Sequence, residues 1–367
     1  MLNSRGEDRP KVAVALSGGV DSAVAAALLR EKGYQVIGLT MRTWRGGKVP
    51  LTRRHACYGP GEERSIEQAQ RVAERLKIPF YALDLSQEYE AEVLGYFRQE
   101  YQRGRTPNPC VRCNKRLKFE VLLDKARSRG LEFDYFASGH YSRVEYQEEA
   151  GRYLLRRARD ESKDQSYFLY ALSQEQLEHL LLPLGDYPKS EVREMAHDLG
   201  LPVEPAESQD FAEGGYLWLF GELRPGPVLD REGNLLGRHR GLPSYTIGQR
   251  RGLGLAVGKP LYVTRIDPER NALIVGSREE IYSRGLIASK VNWIAMERLE
   301  QPLRARVKIR YKHEGAEAWL TPLEGDEVRV EFDQPQPAVT PGQAAVFYQG
   351  EVVLGGGTIE QSLNGGA

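Results

Sequence analysis

Short apolar runs alternate with helical patterns through the first half of the chain. Val12 to Leu16 is a buried-strand run, followed by the polar turn Ser17-Gly18-Gly19-Val20-Asp21-Ser22. Ser22 to Lys32 then reads as an Ala/Leu-rich helix that Gly33 can close. Gln35 to Thr40 is a second strand and Phe80 to Leu85 a third. Between them Ser65-Ile66-Glu67-Gln68 fits a capping box, so a helix is expected from Ser65 to Leu76. Glu88 to Gln102 and Asn114 to Arg129 are helical in pattern, and Tyr135 to Ala137 is a short strand. This alternation predicts an α/β fold with a parallel, Rossmann-like sheet covered by helices on both faces. After a helix at Lys189 to Leu199, turn signals become dense. Pro225-Gly226-Pro227, Glu232-Gly233-Asn234 and Gly258-Lys259-Pro260 separate short strand-like runs such as Leu261 to Ile266 and Ala272 to Val275. That is all-β character. The expected boundaries fall near residues 212 and 284, giving domains 1–212, 213–284 and 285–367.

A chain of 367 residues suits two or three domains. Lys plus Arg and Asp plus Glu both number 51, so the formal net charge is zero. A nucleic-acid partner therefore has to be argued from where charges sit, not from their sum. No apolar run approaches the ~18 residues of a membrane span, and Met1 to Pro10 lacks the apolar core of a secretion signal. No membrane partner is expected. Three cysteines are too few for a disulfide framework, and a reducing cytoplasm is the expected compartment.

The turn after the first strand carries the first chemistry. Glycines permit close backbone approach to a ligand, the following helix offers free N–H groups and a positive dipole end, and Ser17 and Ser22 add hydroxyls. Together they make an anion cradle, with phosphate the expected anion. The bland alternative is a tight strand-to-helix turn capped by Asp21 or Ser22. The string SGGVDS resembles the pyrophosphate loop of the ATP pyrophosphatase group. That resemblance implies ATP cleaved between its α and β phosphates, and a cofactor site at Ala15, Leu16, Ser17, Gly18, Gly19, Val20, Asp21 and Ser22, with Asp21 helping to hold Mg²⁺. It also puts Met41 beside adenine. Gly139, in Ser138-Gly139-His140-Tyr141, would share the carboxyl edge of the sheet, where open α/β sheets bind ligands.

Cys110-Val111-Arg112-Cys113 forms a CxxC, and His55-Ala56-Cys57 lies about fifty residues earlier. Between Arg103 and Lys118 there are six cations and no acid. Such surroundings favour thiolate, so a reactive thiolate is expected at the CxxC rather than inert packing.

The string Gly104-Arg105-Thr106-Pro107-Asn108-Pro109-Cys110-Val111-Arg112-Cys113-Asn114-Lys115 resembles the tRNA-specific 2-thiouridylase family. So do Lys163-Asp164-Gln165-Ser166-Tyr167-Phe168-Leu169, the run from Tyr245 to Gly254, and the run from Pro341 to Tyr348. The match is in order over nearly the whole chain. It implies ATP-dependent 2-thiolation of the wobble uridine of tRNA through an adenylated base. It also implies a nucleotide domain, a small central β domain and a C-terminal β-barrel. By resemblance Cys113 is the nucleophile position, Asn108 and Pro109 lie beside the target base, and Lys163, Asp164, Gln165, Arg310 and Tyr311 match tRNA-contacting segments. The partners implied are tRNA and a sulfur donor: a cysteine desulfurase, a relay protein or free sulfide. Two departures matter. Cys110 stands where the family commonly has Asp, and Ala212 stands where it carries a second catalytic cysteine. Cys57, Cys110 and Cys113 therefore remain as the catalytic thiols. They could ligate a 4Fe–4S cluster with one open iron, support a persulfide on Cys113 resolved by Cys110 or Cys57, or join His55 around Zn²⁺.

Arg304, Arg306, Lys308, Arg310 and Lys312 alternate with apolar residues, which puts five cations on one face of a strand. Phosphate contacts are one use of such a face; acidic residues on adjoining strands, such as Glu327 and Glu331, are the other. Trp44 and Tyr58 suit base stacking or packing equally. His197 reads as packing or surface, and His140 as a nucleotide contact or a strand-end residue. Two rivals to the thiolation reading are a synthetase or amidotransferase acting on a small metabolite and a non-enzymatic tRNA-binding or sulfur-carrier protein.

Overall fold

The computed structural model describes residues 9–46, 56–203, 210–212, 215–255 and 258–363. The chain divides into two compact units, one made of residues 1–92 and 110–215, the other of 93–109 and 216–367.

The first unit opens with β1 (Lys11–Ala15), α1 (Val20–Glu31), β2 (Gln35–Arg42) and β3 (Ala56–Tyr58). These are followed by α2 (Glu62–Leu76), β4 (Phe80–Asp84) and α3 (Ser86–Tyr89). A wide-turn stretch, Glu90–Gly95, leads to α4 (Tyr96–Gln102) of the second unit. α5 (Pro109–Arg112) continues through the wide turns of Cys113–Val121 into α6 (Leu122–Ser128). The first unit then adds β5 (Tyr135–Ala137), the hairpin β6 (Ser142–Gln147) and β7 (Arg152–Arg157), α7 (Gln174–Glu178), β8 (Leu180–Leu181), α8 (Lys189–Asp198) and β9 (Asp210–Ala212).

Its main sheet is parallel, in the order β4-β2-β1-β5-β8. The chain leaves β1 towards β2 and later returns on the other side at β5, so the crevice where the strand order reverses opens at the carboxyl ends of β1 and β5. Val12 and Val14 are fully buried and share one core with Ala23 to Ala27, Val72, Ala73, Val192 and Ala196. The small side chains of α1 let that helix lie close on the sheet, and its burial all round explains why its apolar pattern has no clean polar face.

Helix α2 starts three residues before the expected Ser65. Glu62 explains the shift. Its buried carboxylate accepts from the Thr43 N–H at 2.7 Å and the Trp44 N–H at 2.9 Å, which fixes the first turn of the helix against the end of β2. Ser65, already inside the helix, bonds back to the Gly61 carbonyl instead of capping.

The second unit holds β10 (Gly226–Leu229), β11 (Leu235–His239), β12 (Tyr262–Asp267) and β13 (Ala272–Gly276), in the sheet order β11-β10-β13-β12. Leu242, Tyr245, Val263, Leu273 and Val275 form the core beneath it. Six further antiparallel strands follow: β14 (Tyr282–Trp293), β15 (Leu303–Lys308), β16 (Ala316–Pro322), β17 (Val328–Pro337), β18 (Ala344–Gln349) and β19 (Val352–Leu363). They pair as β14-β17-β16-β15-β18-β19, and β19 pairs back to β14. The result is a closed barrel without an exposed edge, filled by residues such as Leu286, Val307, Leu320, Val330 and Phe347. The Rossmann-like domain, the small β domain and the C-terminal barrel are thus all present.

The five alternating cations do not share one strand. β15 ends at Lys308, so only Arg304, Arg306 and Lys308 lie on it. Arg304 donates to Asp333 at 2.6 Å and covers the Trp319 ring, and Arg306 pairs across the ladder with Glu317. The acidic neighbours that the sequence allowed as the alternative are in place. Arg310 lies past the strand, with its guanidinium on the Pro337 carbonyl, and Tyr311 sits beneath Lys308.

Candidate active site

A cavity of about 430 Å³ opens at the crevice of the parallel sheet. Its floor is the turn between β1 and α1. Ser22, the third residue of the helix, closes that turn on itself: its hydroxyl donates to the Gly19 carbonyl and accepts from the Ser17 N–H, both at 3.1 Å. Gly18 holds φ +80°, and a Cβ there would stand 2.6 Å from the Ser65 carbonyl oxygen, so only glycine lets the turn pass beneath α2. Gly139, after β5, lies against the same turn: a Cβ there would meet the Asp21 and Ser22 backbone at 2.7 Å. Ala15, Leu16, Val20, Asp21, Met41 and Gly139 all line the cavity with the turn.

Asp21 is held by side chains that the sequence reading did not single out. The Lys189 ammonium, on the first turn of α8, lies 2.6 and 2.7 Å from its two carboxylate oxygens, and the buried Tyr141 hydroxyl donates to one of them at 2.7 Å. Lys189 and Arg193, one turn on, both line the cavity. Lys189 reaches Asp21 because Val192 and Ala196 pack α8 onto the α1 core, a pairing that local sequence could not announce. The cation against Asp21 in this structure is the ammonium of Lys189.

Cys113 and Cys57 line the same cavity; Cys110 does not. Tyr89 sits among the thiols: burial, then the proximity of Cys113, Cys57 and Cys110, pushes its hydroxyl well up. Cys57 and Cys110 are exposed and Cys113 is half-exposed, yet enough protein surrounds each sulfur to disfavour thiolate. Desolvation pushes Cys113 up to about 11 and Cys110 up to about 12, and it raises Cys57 as well. Lys118 opposes this only in part.

The expected thiolate is thus corrected to a protonated thiol, because burial of the sulfurs outweighs the nearby cation Lys118. Several cations around the CxxC are also paired with acids, some one helical turn away and some from distant segments. Arg112 pairs with Glu92, Arg116 with Glu120, Arg103 with Glu100, and Arg105 with Glu100 and Glu360. Lys118 donates to the buried Asn114. The helix also begins earlier than expected, with Pro109 in its first turn, where a missing N–H costs nothing. Cys113 therefore lies inside the helical run and not ahead of it.

Among the described residues no three His, Cys, Asp or Glu side chains converge closely enough to hold a metal ion. The three thiols therefore do not form a preassembled cluster site. His55 lies outside the described residues, as do Glu207, Ser208 and Gln209. Asp164 is buried and holds its own loop, accepting from the Ala158 N–H, the Ser166 N–H and the Ser166 hydroxyl. Gln165 accepts from the Tyr141 N–H and lines the cavity; Lys163 precedes them on the loop. Asn108 and Pro109, like Arg310 and Tyr311, belong to the second unit. Trp44 and Tyr58 pack edge to face, and Tyr58 stacks on Tyr89. His140 bonds Ser138 at 2.8 Å, and burial, then Lys118, holds its ring well below the usual histidine range, so it is neutral. His197 is exposed on α8 beside Asp198.

The parallel sheet, its glycine turn and the crevice above it define an ATP-utilising protein of the pyrophosphate-loop class, and residues 10–212 match the family model described as tRNA methyl transferase HUP domain. Residues 216–277 match the tRNA methyl transferase PRC-barrel domain and 283–359 the aminomethyltransferase beta-barrel domain. The tRNA-specific 2-thiouridylase MnmA of Moorella thermoacetica is 52% identical over 95% of this chain and 98% of its own length. Those of Pelotomaculum thermopropionicum and Acetivibrio thermocellus are 47% and 46% identical, over 97% and 96% of this chain and 98% and 99% of their own. The chain belongs to the tRNA-specific 2-thiouridylase family.

Proposed function

We propose that this protein is an ATP-dependent tRNA sulfurtransferase that converts the wobble uridine to 2-thiouridine, with sulfur delivered at Cys113. The observation that carries the reading is that the glycine turn and Cys113 line one cavity. A phosphate-activating loop beside a sulfur-bearing side chain suits a reaction in which a carbonyl oxygen must be made to leave. Uracil O2 is a poor leaving group; as an adenylate it departs as AMP.

The residues divide the work accordingly. The Ser17–Ser22 turn and the amino end of α1 accept the phosphates. Lys189 cancels the charge of Asp21, and Arg193 adds positive charge at the same wall, offsetting the charge on departing pyrophosphate. Neutral His140, bonded to Ser138, is an uncharged polar wall. Cys113 presents sulfur from the opposite helix. Mg²⁺ would supply further charge on the phosphates when bound. Asp21, which also accepts from Lys189 and Tyr141, is the carboxylate that would hold it.

The test is a reaction of purified protein with unmodified tRNA transcript, ATP and a persulfide donor. Thiolated uridine and AMP should appear in equal amounts, and pyrophosphate exchange into ATP should require the transcript. Thiolation without AMP would overturn the reading.

A further inference from the structure

The parallel pairing of β3 with β9 sets Ala56 opposite Asp210 and Tyr58 opposite Ala212. Cys57, the central residue of β3, thus lies level with Phe211 and one residue from the Tyr58–Ala212 pair, where the Ala212 methyl carries no chemistry and is buried. Cys57 and Cys113 come from segments more than fifty residues apart, yet both face the cavity that holds the glycine turn. Cys110 shares a helical turn with Cys113 but stays outside that cavity. We infer that Cys57 is the second sulfur-handling residue of this site, the thiol that releases product from Cys113 and ends each turnover in a Cys57–Cys113 disulfide. The inference rests on the proposed thiolation.

The exposure of Cys57 leaves its sulfur free to approach an intermediate.

Cys113 carries a persulfide whose terminal sulfur attacks C2 of the adenylated base. A C–S bond forms, the C–O bond to AMP breaks, and base and enzyme are joined through a disulfide. The Cys57 sulfur then attacks Sγ of Cys113. That S–S bond breaks, its electron pair leaves with the sulfur on the base, and the proton from Cys57 ends on N3 as the thione forms. The sulfane sulfur has gained two electrons and the two cysteines have lost them. A dithiol reductant, of the kind that reduces protein disulfides, must return both thiols before the next persulfide is loaded.

Full-length protein loaded with persulfide and freed of small thiols would be mixed with ATP and unmodified transcript for one turnover. In the native protein, non-reducing peptide mass spectrometry should find Cys57 linked to Cys113. In Cys57→Ser, AMP should form as in the native protein, thiolated tRNA should fall at least about tenfold, and a tRNA–protein adduct cleaved by added dithiol should accumulate. A Cys110–Cys113 disulfide in the native protein, or undiminished thiolation by Cys57→Ser, overturns the inference. Disulfide mapping needs no variant, so it decides the matter even if Cys57→Ser folds poorly. Absence of AMP from the native protein is a separate result: it removes the thiolation reading itself.

Discussion

The ammonium of Lys189 lies 2.6 and 2.7 Å from the two carboxylate oxygens of Asp21, so the acid of the glycine turn is neutralised by a helix more than 160 residues away. Lys189 is nearly buried while Asp21 is about one-third exposed. This pair sets the charge at the glycine-turn end of the cavity.

Lys189→Ala is expected to weaken ATP binding and tRNA-dependent pyrophosphate exchange. Hydrogen bonds to charged groups contribute about 1.5–3 kcal/mol, roughly a ten- to hundredfold effect. Titration calorimetry with ATP measures it. Unchanged affinity would show that Lys189 serves Asp21 alone.

Gly18→Ala should damage the turn whatever the ligand does. The positive φ and the Ser65 carbonyl at 2.6 Å leave no room for a methyl group, and such strain costs about 1–3 kcal/mol. A lowered melting temperature together with weakened ATP binding is expected. Gly33→Ala is the control, because nothing lies near the added methyl at that helix end; its cost is the backbone strain of a positive φ alone, and ATP binding should be spared.

The thiol at Cys113 is pushed up to about 11 and that at Cys110 up to about 12. The reactive thiolate is therefore scarce at neutral pH and grows as pH rises toward those values. Alkylation of both by iodoacetamide, followed by mass spectrometry, should climb about tenfold per pH unit from pH 7 to 10. A plateau near pH 8 would contradict this.

His140 is harder to protonate folded than unfolded. Its contribution to stability is thus present above the unfolded value, about 6.5, and is lost as pH falls below it, when the unfolded chain gains a proton the folded one resists. Denaturant melts at pH 7 and pH 5 should show a smaller acid loss for His140→Asn than for the native protein.

Arg304 is already matched by Asp333. Arg304→Ala should change tRNA affinity by less than about threefold, as exposed ion pairs contribute little. Filter binding across a salt series would expose a larger role.

Much of the fold was legible because it is written locally. The buried runs at Val12 and Gln35, the glycine turn and the small side chains of α1 each dictate their own conformation, and the dense turns of the second half specify all-β structure. The CxxC and the glycine turn are likewise motifs of adjacent residues. Position along the chain fixes such features because each depends on residues a few places apart.

What only the tertiary structure decided depends on segments that meet after long excursions. Burial of Cys110 and Cys113 turns an expected thiolate into a thiol, and Glu360 reaches Arg105 from the far end of the chain. Asp333 likewise comes from another strand to pair with Arg304. Lys189 finds Asp21 through helix packing, and Cys57 joins the cavity of Cys113. Electrostatic energy depends on distance in space, and separation along the chain does not reveal that distance until the core has closed.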